Sequence, residues 1–337
     1  MMQPVATMMR NLRPLFSGLV FSIIVALAAK FISEHYGAPA MLMALLLGMA
    51  FTFLAEPGAP TEPGIEFASK KLLRFGVALL GLGITVQQIA SAGIEVVFIV
   101  LAGVGLTIAA GVALARMSGR PLHFGLLAGG AVAICGASAA LAISSVLPKT
   151  DPNHERDTIF TVIAITALST LAMIVYPIIG SALGLSDHAM GVFFGATIHD
   201  VAQVVGAGYS VSDEAGATAT FVKLLRVALL VPVVVTLSVV FGKNRAPGQS
   251  GGLPIPFFVI GFAALVLIGS ANVIPPEMTA LLLELSRWCL LTAIAALGMK
   301  TSLKKLGEVG GGAIAMVCGL TVLLAGFTLG AIKLLHI

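Results

Sequence analysis

Four residues able to do chemistry sit within one short run, Gly195 to Gly208, which reads Gly-Ala-Thr-Ile-His-Asp-Val-Ala-Gln-Val-Val-Gly-Ala-Gly. They are Thr197, His199, Asp200 and Gln203, and glycines stand at both ends of the run. On a helix Gln203 lies four residues from His199 and three from Asp200, so all three can share a side. Asp200 can hold a cation, or a proton where desolvation favours its neutral form, and His199 is a natural proton carrier near neutral pH. The surroundings are apolar enough to span a bilayer. An ionised carboxylate there costs roughly 2.5–3.5 kcal/mol on insertion scales, so a chain that keeps one has set it against protein or water. The plain alternative is that Asp200 and His199 tie this segment to a neighbour by hydrogen bonds.

Two further groups qualify. The stretch around Gly130 to Ala140 offers small residues in place of charge, with Cys135, Gly136 and Ser138 near its middle. A helix beginning at a break there presents free N–H groups and a positive dipole end, a ready anion site. Close packing through small residues explains the same glycines. Lys223 and Arg226 lie one turn apart, followed by a largely apolar run of fifteen residues from Val227 to Phe241. Two cations at that depth can bind a divalent oxyanion, with arginine supplying the bidentate geometry. Otherwise they snorkel to the surface or pair with Asp200. Glu284 and Arg287, three apart, read as a local pair, and Trp288 carries no argument by itself.

The elements that must position these residues follow from composition. Of 337 residues, 58% are hydrophobic and 10% charged, against about 25% charged in soluble chains. This is a membrane protein, expected to be one all-α transport domain over 1–337 with no soluble domain. Apolar segments run at about 15–33, 39–55, 72–89, 93–116, 122–147, 158–184, 189–208, 217–242, 254–273, 278–299 and 310–333. They are too continuous for strands. Pro177 and Pro232 fall inside segments and predict kinks. Cys135, Cys289 and Cys318 form no CxxC pairing, so neither a zinc site nor a disulfide framework is indicated. The net charge of +4 is small and scattered over short loops, which argues topology rather than nucleic acid.

With the N-terminus inside, the cytoplasmic side collects Arg10, Arg13, Lys70, Lys71, Arg74, Arg116, Arg120, Lys243, Arg245, Lys300, Lys304 and Lys305. That is the positive-inside pattern. The loop holding Lys149 and Arg156 breaks it if every segment crosses. If 122–147 and 189–208 are re-entrant, dipping in from opposite sides and returning, the conflict disappears and the other loops stay where they were. A pair of crossing helices broken in the middle is the rival, and both readings stand at this point. Glycine-interrupted segments of either kind occur where irregular backbone lines a cavity. Two internal likenesses suggest inverted repeats: Gly130–Ala137 with Gly195–Ala202, and Ala78–Thr85 with Ala293–Lys300.

The runs Gly130–Ala140, Ile198–Gly208 and Val222–Val227 resemble motifs of the YeiH-like family, whose members carry the label sulfate exporter, and the likeness covers nearly the whole chain. That family is similar at a distance to the superfamily of sodium/proton antiporters and bile-acid symporters. The eleven apolar segments read as about 9–11 transmembrane helices, and the resemblance implies a multi-pass bacterial inner-membrane transporter with inverted repeats, working by an elevator motion. Sulfate is its suggestion for the substrate, and by analogy with such transporters a homodimer is expected.

The combined expectation is a secondary active exporter of a small sulfate- or sulfonate-type anion. Gly130, Cys135, Gly136, Ser138, Thr197, Gln203, Lys223 and Arg226 would bind the solute, while His199 and Asp200 couple it to Na+ or H+. No other cofactor is expected, and no GxxxxGK[ST] motif points to ATP. A passive anion channel, or a transporter of an unrelated solute, is the alternative. An intramembrane hydrolase lacks GxSxG, HExxH and a second intramembrane aspartate.

Overall fold

The structure is a computed structural model that describes residues 3–87, 93–148, 153–241, 257–271, 273–301 and 311–337. The described residues are helical and contain no strand. Lys149, Lys243, Arg245, Lys304 and Lys305, part of the charge pattern above, lie outside them.

The helices are α1 (Gln3–Tyr36), α2 (Ala40–Ala50), α3 (Glu62–Phe67), α4 (Leu73–Leu80), α5 (Ile94–Met117), α6 (Leu122–Ala133) and α7 (Ala137–Val146). Then follow α8 (His154–Ala182), α9 (Asp187–Thr197), α10 (Val201–Val211), α11 (Asp213–Ala228) and α12 (Leu230–Phe241). The last three are α13 (Phe257–Ser270), α14 (Pro276–Lys300) and α15 (Gly311–Leu335). A π-turn over Ala68–Leu72 joins α3 to α4. Among the described residues six stretches are long and apolar enough to cross a bilayer: Leu15–Tyr36, Ile94–Met117, His154–Ala182, Asp213–Phe241, Pro276–Lys300 and Ile314–Leu335. The chain is an all-α polytopic membrane protein.

The helices gather into two groups. In the first, α1, α2, α4, α13 and α14 pack through backbone-to-backbone approaches. A Cβ placed on Gly48 of α2 would lie 2.3 Å from the Ala295 carbonyl oxygen, and one on Gly298 of α14 would lie 2.3 Å from that of Leu45. The two helices cross with nothing between them. Changing Gly48 to leucine is therefore expected to separate them, at about 1–3 kcal/mol for an overpacked interior and more if the backbones cannot yield. A lowered melting temperature in detergent would record it. The second group holds α5 to α12 and α15, and α10 meets the first group along α2 and α14.

Segments 122–147 and 189–208 are each two short helices around a break. Both turn back. A Cβ on Gly130 of α6 would fall 2.3 Å from Ile143 Cδ1 of α7. Residues thirteen apart on helices running end to end would stand far beyond side-chain reach, so α7 retraces α6. The second case follows from α11. Gly191 and Gly195 of α9 face Ala215 and Ala219 in the same order, so α9 runs parallel to α11. Gly208 of α10 faces Gly216 near the start of α11, so α10 runs antiparallel to it, and hence to α9. The crossing alternative is thereby excluded.

The first hairpin enters from the face where α5 ends, beside Arg116 and Arg120, and the second from the opposite face. The turn-back also returns Arg156 to the face of Arg116, which removes the conflict in the charge pattern. The two prolines differ. The helix is interrupted at Leu229, three residues before Pro232, whereas α8 runs through Pro177 unbroken.

Candidate solute and ion site

The hairpin tips meet. Helix α6 ends at Ala133 and the chain passes through Ile134, Cys135 and Gly136 before α7 begins; α9 ends at Thr197 and the chain passes through Ile198, His199 and Asp200 before α10. Gly136 has φ +64° and ψ −126°, a backbone shape closed to residues with a Cβ. A Cβ there would also lie 3.0 Å from Ile165 Cγ2 and 3.5 Å from His199 Cβ.

Lys223 and Arg226, both fully buried on α11, hold the two tips together. Lys223 Nζ donates to the carbonyls of Ile134 (2.7 Å), Ile198 (3.0 Å) and His199. Arg226 donates through Nε to Ala133 (2.9 Å), through Nη1 to Gly195 (2.9 Å) and Ile198 (3.1 Å), and through Nη2 to Val132 (2.9 Å). These are the orphan carbonyls that every helix C-terminus leaves. The pattern repeats across the internal likeness. When Gly130–Ala137 is laid on Gly195–Ala202, Ala133 falls on Ile198 and both accept from Arg226; Ile134 falls on His199 and both accept from Lys223. The short sequence similarity thus marks positions that do the same job in two opposed hairpins.

This corrects the expectation that the two cations bind the solute. All three donors of Lys223 and four of the five on Arg226 are committed to backbone. Neither side chain snorkels, and neither makes an ion pair with Asp200. Two helix C-termini amount to roughly one negative charge, so the pair offsets the dipole ends it caps.

Asp200 sits at the tip, partly exposed, as the N-cap of α10: its Oδ1 accepts from the Val201 N–H at 3.0 Å, and its own N–H donates to Ser169 Oγ at 3.0 Å. Gln203, fully buried, donates through Nε2 to Thr170 Oγ1 at a long 3.4 Å, and its Oε1 has no hydrogen-bond partner among the described residues. The Gln203 oxygen and the Asp200 carboxylate belong to the same first turn of α10, and both are oxygen ligands of the kind a hard cation takes.

His199 is fully buried, with Nδ1 3.3 Å from the Val132 carbonyl and Nε2 3.0 Å from Thr321 Oγ1 on α15. The Thr321 hydroxyl also lies 2.9 Å from the Val317 carbonyl. If it donates to Val317, Nε2 carries a proton and donates to it; if it turns to Nε2, that nitrogen accepts and the proton sits on Nδ1, toward Val132. One hydroxyl rotation accommodates both tautomers.

Thr197 spends its hydroxyl on the Phe193 carbonyl of its own helix. Gly130 makes room for Ile143 and Cys135 is buried at the turn, so both shape the hairpin. Ser138 is exposed in the first turn of α7, whose N-cap, Gly136, has no side chain to satisfy the N–H groups. Sequence reasoning missed Ser169, Thr170 and Thr321. Their only signal was hydroxyl residues inside apolar helices.

Two opposed re-entrant hairpins, pinned tip to tip among spanning helices, define a polytopic membrane protein built like a transporter. The chain belongs to the family described as conserved hypothetical protein 698, whose model matches residues 17–317. The resemblance read from the three motifs holds at the level of this family of membrane proteins. It is similar to UPF0324 membrane protein CT0845 of Chlorobaculum tepidum, with 55% identity over 321 residues covering 94% of this chain and 89% of that one. It is also similar to the UPF0324 membrane protein TauZ of Paracoccus denitrificans, at 51% identity over 93% of each chain. TauZ of Paracoccus pantotrophus is 50% identical over 95% of each.

Proposed function

We propose that this chain is a secondary active transporter of a small anion of the sulfate or sulfonate type, coupled to a proton or sodium gradient in a bacterial cytoplasmic membrane with its N-terminus inside. The observation that carries the reading is the unequal state of the two helix N-termini at the tips. That of α10 is closed by its own carboxylate, Asp200, beside the unpartnered Gln203 oxygen. That of α7 follows a glycine cap and exposes Ser138. The first suits a cation and the second an anion.

Charge accounting links the two. Lys223 and Arg226 bring two positive charges and the N-termini of α7 and α10 about one more; the two capped C-termini and an ionised Asp200 bring about two negative ones. The tip then carries about one net positive charge, part of it screened from the anion by the Asp200 carboxylate. A proton or Na+ at Asp200 raises it to about two, so the anion binds more tightly when the cation is present. The net direction follows the two gradients, and export is the direction the family likeness implies.

Access supports the same reading. The stripe Ser138, Leu141 and Ser145 on α7 is exposed, with Leu141 59% accessible, while α10 is buried from Val201 to Gly208 against α8, α11, α2 and α14. In such a cycle the site would open to one face at a time. Movement of the hairpin group against α1, α2 and α14, an elevator motion, would exchange the faces.

Proteoliposomes loaded with radiolabelled sulfate test this. A proton or sodium gradient is expected to drive sulfate flux, and Ser138→Trp to stop it without lowering the melting temperature. Flux indifferent to every cation gradient, with single-channel currents in planar bilayers, would establish the channel alternative instead.

A further inference from the structure

A cleft of about 250 Å³ opens on the face from which the second hairpin enters, lined by Lys30 of α1, Ala40 and Met41 of α2, Tyr209 of α10, Asp213 of α11, and Glu284, Arg287, Trp288 and Leu291 of α14. Pockets for drug-sized ligands run about 300–1,000 Å³, so its occupant is small. Its charges balance: Lys30 and Arg287 stand against Asp213 and Glu284. Arg287 Nη2 is 3.1 Å from Asp213 Oδ2 and its Nη1 is 4.0 Å from Glu284 Oε2. Lys30 pairs with Glu34 at 3.0 Å, and its ammonium lies 5.6 Å from the centre of the Trp288 ring.

We propose that this cleft binds a small zwitterion, its anionic group on Arg287 and Lys30 and its ammonium on Asp213, Glu284 and the face of Trp288. The Arg287–Asp213 pair joins exposed side chains, with 52% and 75% of their surfaces accessible, so it opens at little cost. A zwitterion entering between them gives each a new partner of the right sign. A bare anion would leave Asp213 and Glu284 facing its charge, and a bare cation would face Arg287 and Lys30. An ammonium over an indole face is a recognised cation–π arrangement; Lys30, whose ammonium holds that position, leaves it for the anionic group as the ligand's ammonium takes its place.

The cleft lies where α10 and α11 meet the first helix group, one helix length from Asp200, so its occupant sits at the mouth of the second hairpin. The proposal rests on the transporter reading only for what the cleft is for; the binding itself stands apart from it.

Trp288 is the sole tryptophan of the chain, so the fluorescence of the purified full-length protein in detergent reports on this cleft alone. The probes are 3-aminopropanoate, propanoate, propylammonium and inorganic sulfate, with equilibrium dialysis of labelled 3-aminopropanoate as a second measure. Saturable binding is expected for 3-aminopropanoate alone, weakened about tenfold or more by Arg287→Gln and by Asp213→Asn. Absence of binding by dialysis, equal binding of propanoate or sulfate, or undiminished binding to Arg287→Gln overturns the proposal. None of those outcomes touches gradient-driven sulfate flux, which is read separately in proteoliposomes.

Discussion

Replacing Arg226 with methionine is expected to cost the protein about 10 °C or more of melting temperature in detergent, or its folded form altogether. The side chain satisfies four carbonyls from both hairpins at once, those of Val132, Ala133, Gly195 and Ile198. Its removal leaves them buried where no water reaches, and breaking a buried charged network in this way costs about 3–5 kcal/mol. In domains of 150–250 residues each kcal/mol is worth about 2–4 °C. Arg226→Lys should fall between, since a lysine carries three donors for four acceptors and lacks the planar fork. Lys223→Met should resemble Arg226→Met, because three carbonyls lose their donor. Thermal denaturation followed by size-exclusion chromatography reads all three. A wild-type melting temperature for Arg226→Met would show that the tips do not depend on it.

Asp200→Asn is expected to separate coupling from folding. Asparagine is as good an N-cap as aspartate, so the bond to the Val201 N–H and the start of α10 should survive, with the melting temperature within a few degrees of wild type. The negative charge goes, and with it the requirement that a cation arrive before the anion. Gradient stimulation of sulfate flux should fall by roughly 5- to 150-fold, the usual range of a coupling free energy of 1–3 kcal/mol. The same proteoliposomes, with the gradient imposed or absent, make the measurement. Flux in Asp200→Asn that still follows the gradient would move the coupling ion to another group, and His199, with its adaptable contact to Thr321, would be the next to test.

The two substitutions separate the roles that lie side by side at the tips. One side chain on α11 builds the site and one at the break of the second hairpin is proposed to operate it. Both are charged residues inside apolar segments, and from the sequence they looked alike. What distinguishes them is how many of their hydrogen-bonding positions the fold has already used.

The helices, their approximate limits and the breaks in the two hairpin segments were legible in the sequence alone. Long apolar runs leave backbone groups no partners but their own, and the glycines flanking 134–136 and 198–200 mark where that pairing stops. The special position of Asp200 was also legible, because a carboxylate in such surroundings must have a reason. The tertiary structure decided the rest. Whether the broken segments cross or return depends on which helix packs beside them, as Ile143 does beside Gly130 and Gly216 beside Gly208. The partners of Lys223 and Arg226 lie 24 to 94 residues away along the chain. Helical periodicity places a side chain on a face and is silent about what that face meets. A cation one turn from another therefore read as a ligand for solute, until the opposed hairpin tips were seen to supply seven carbonyl bonds.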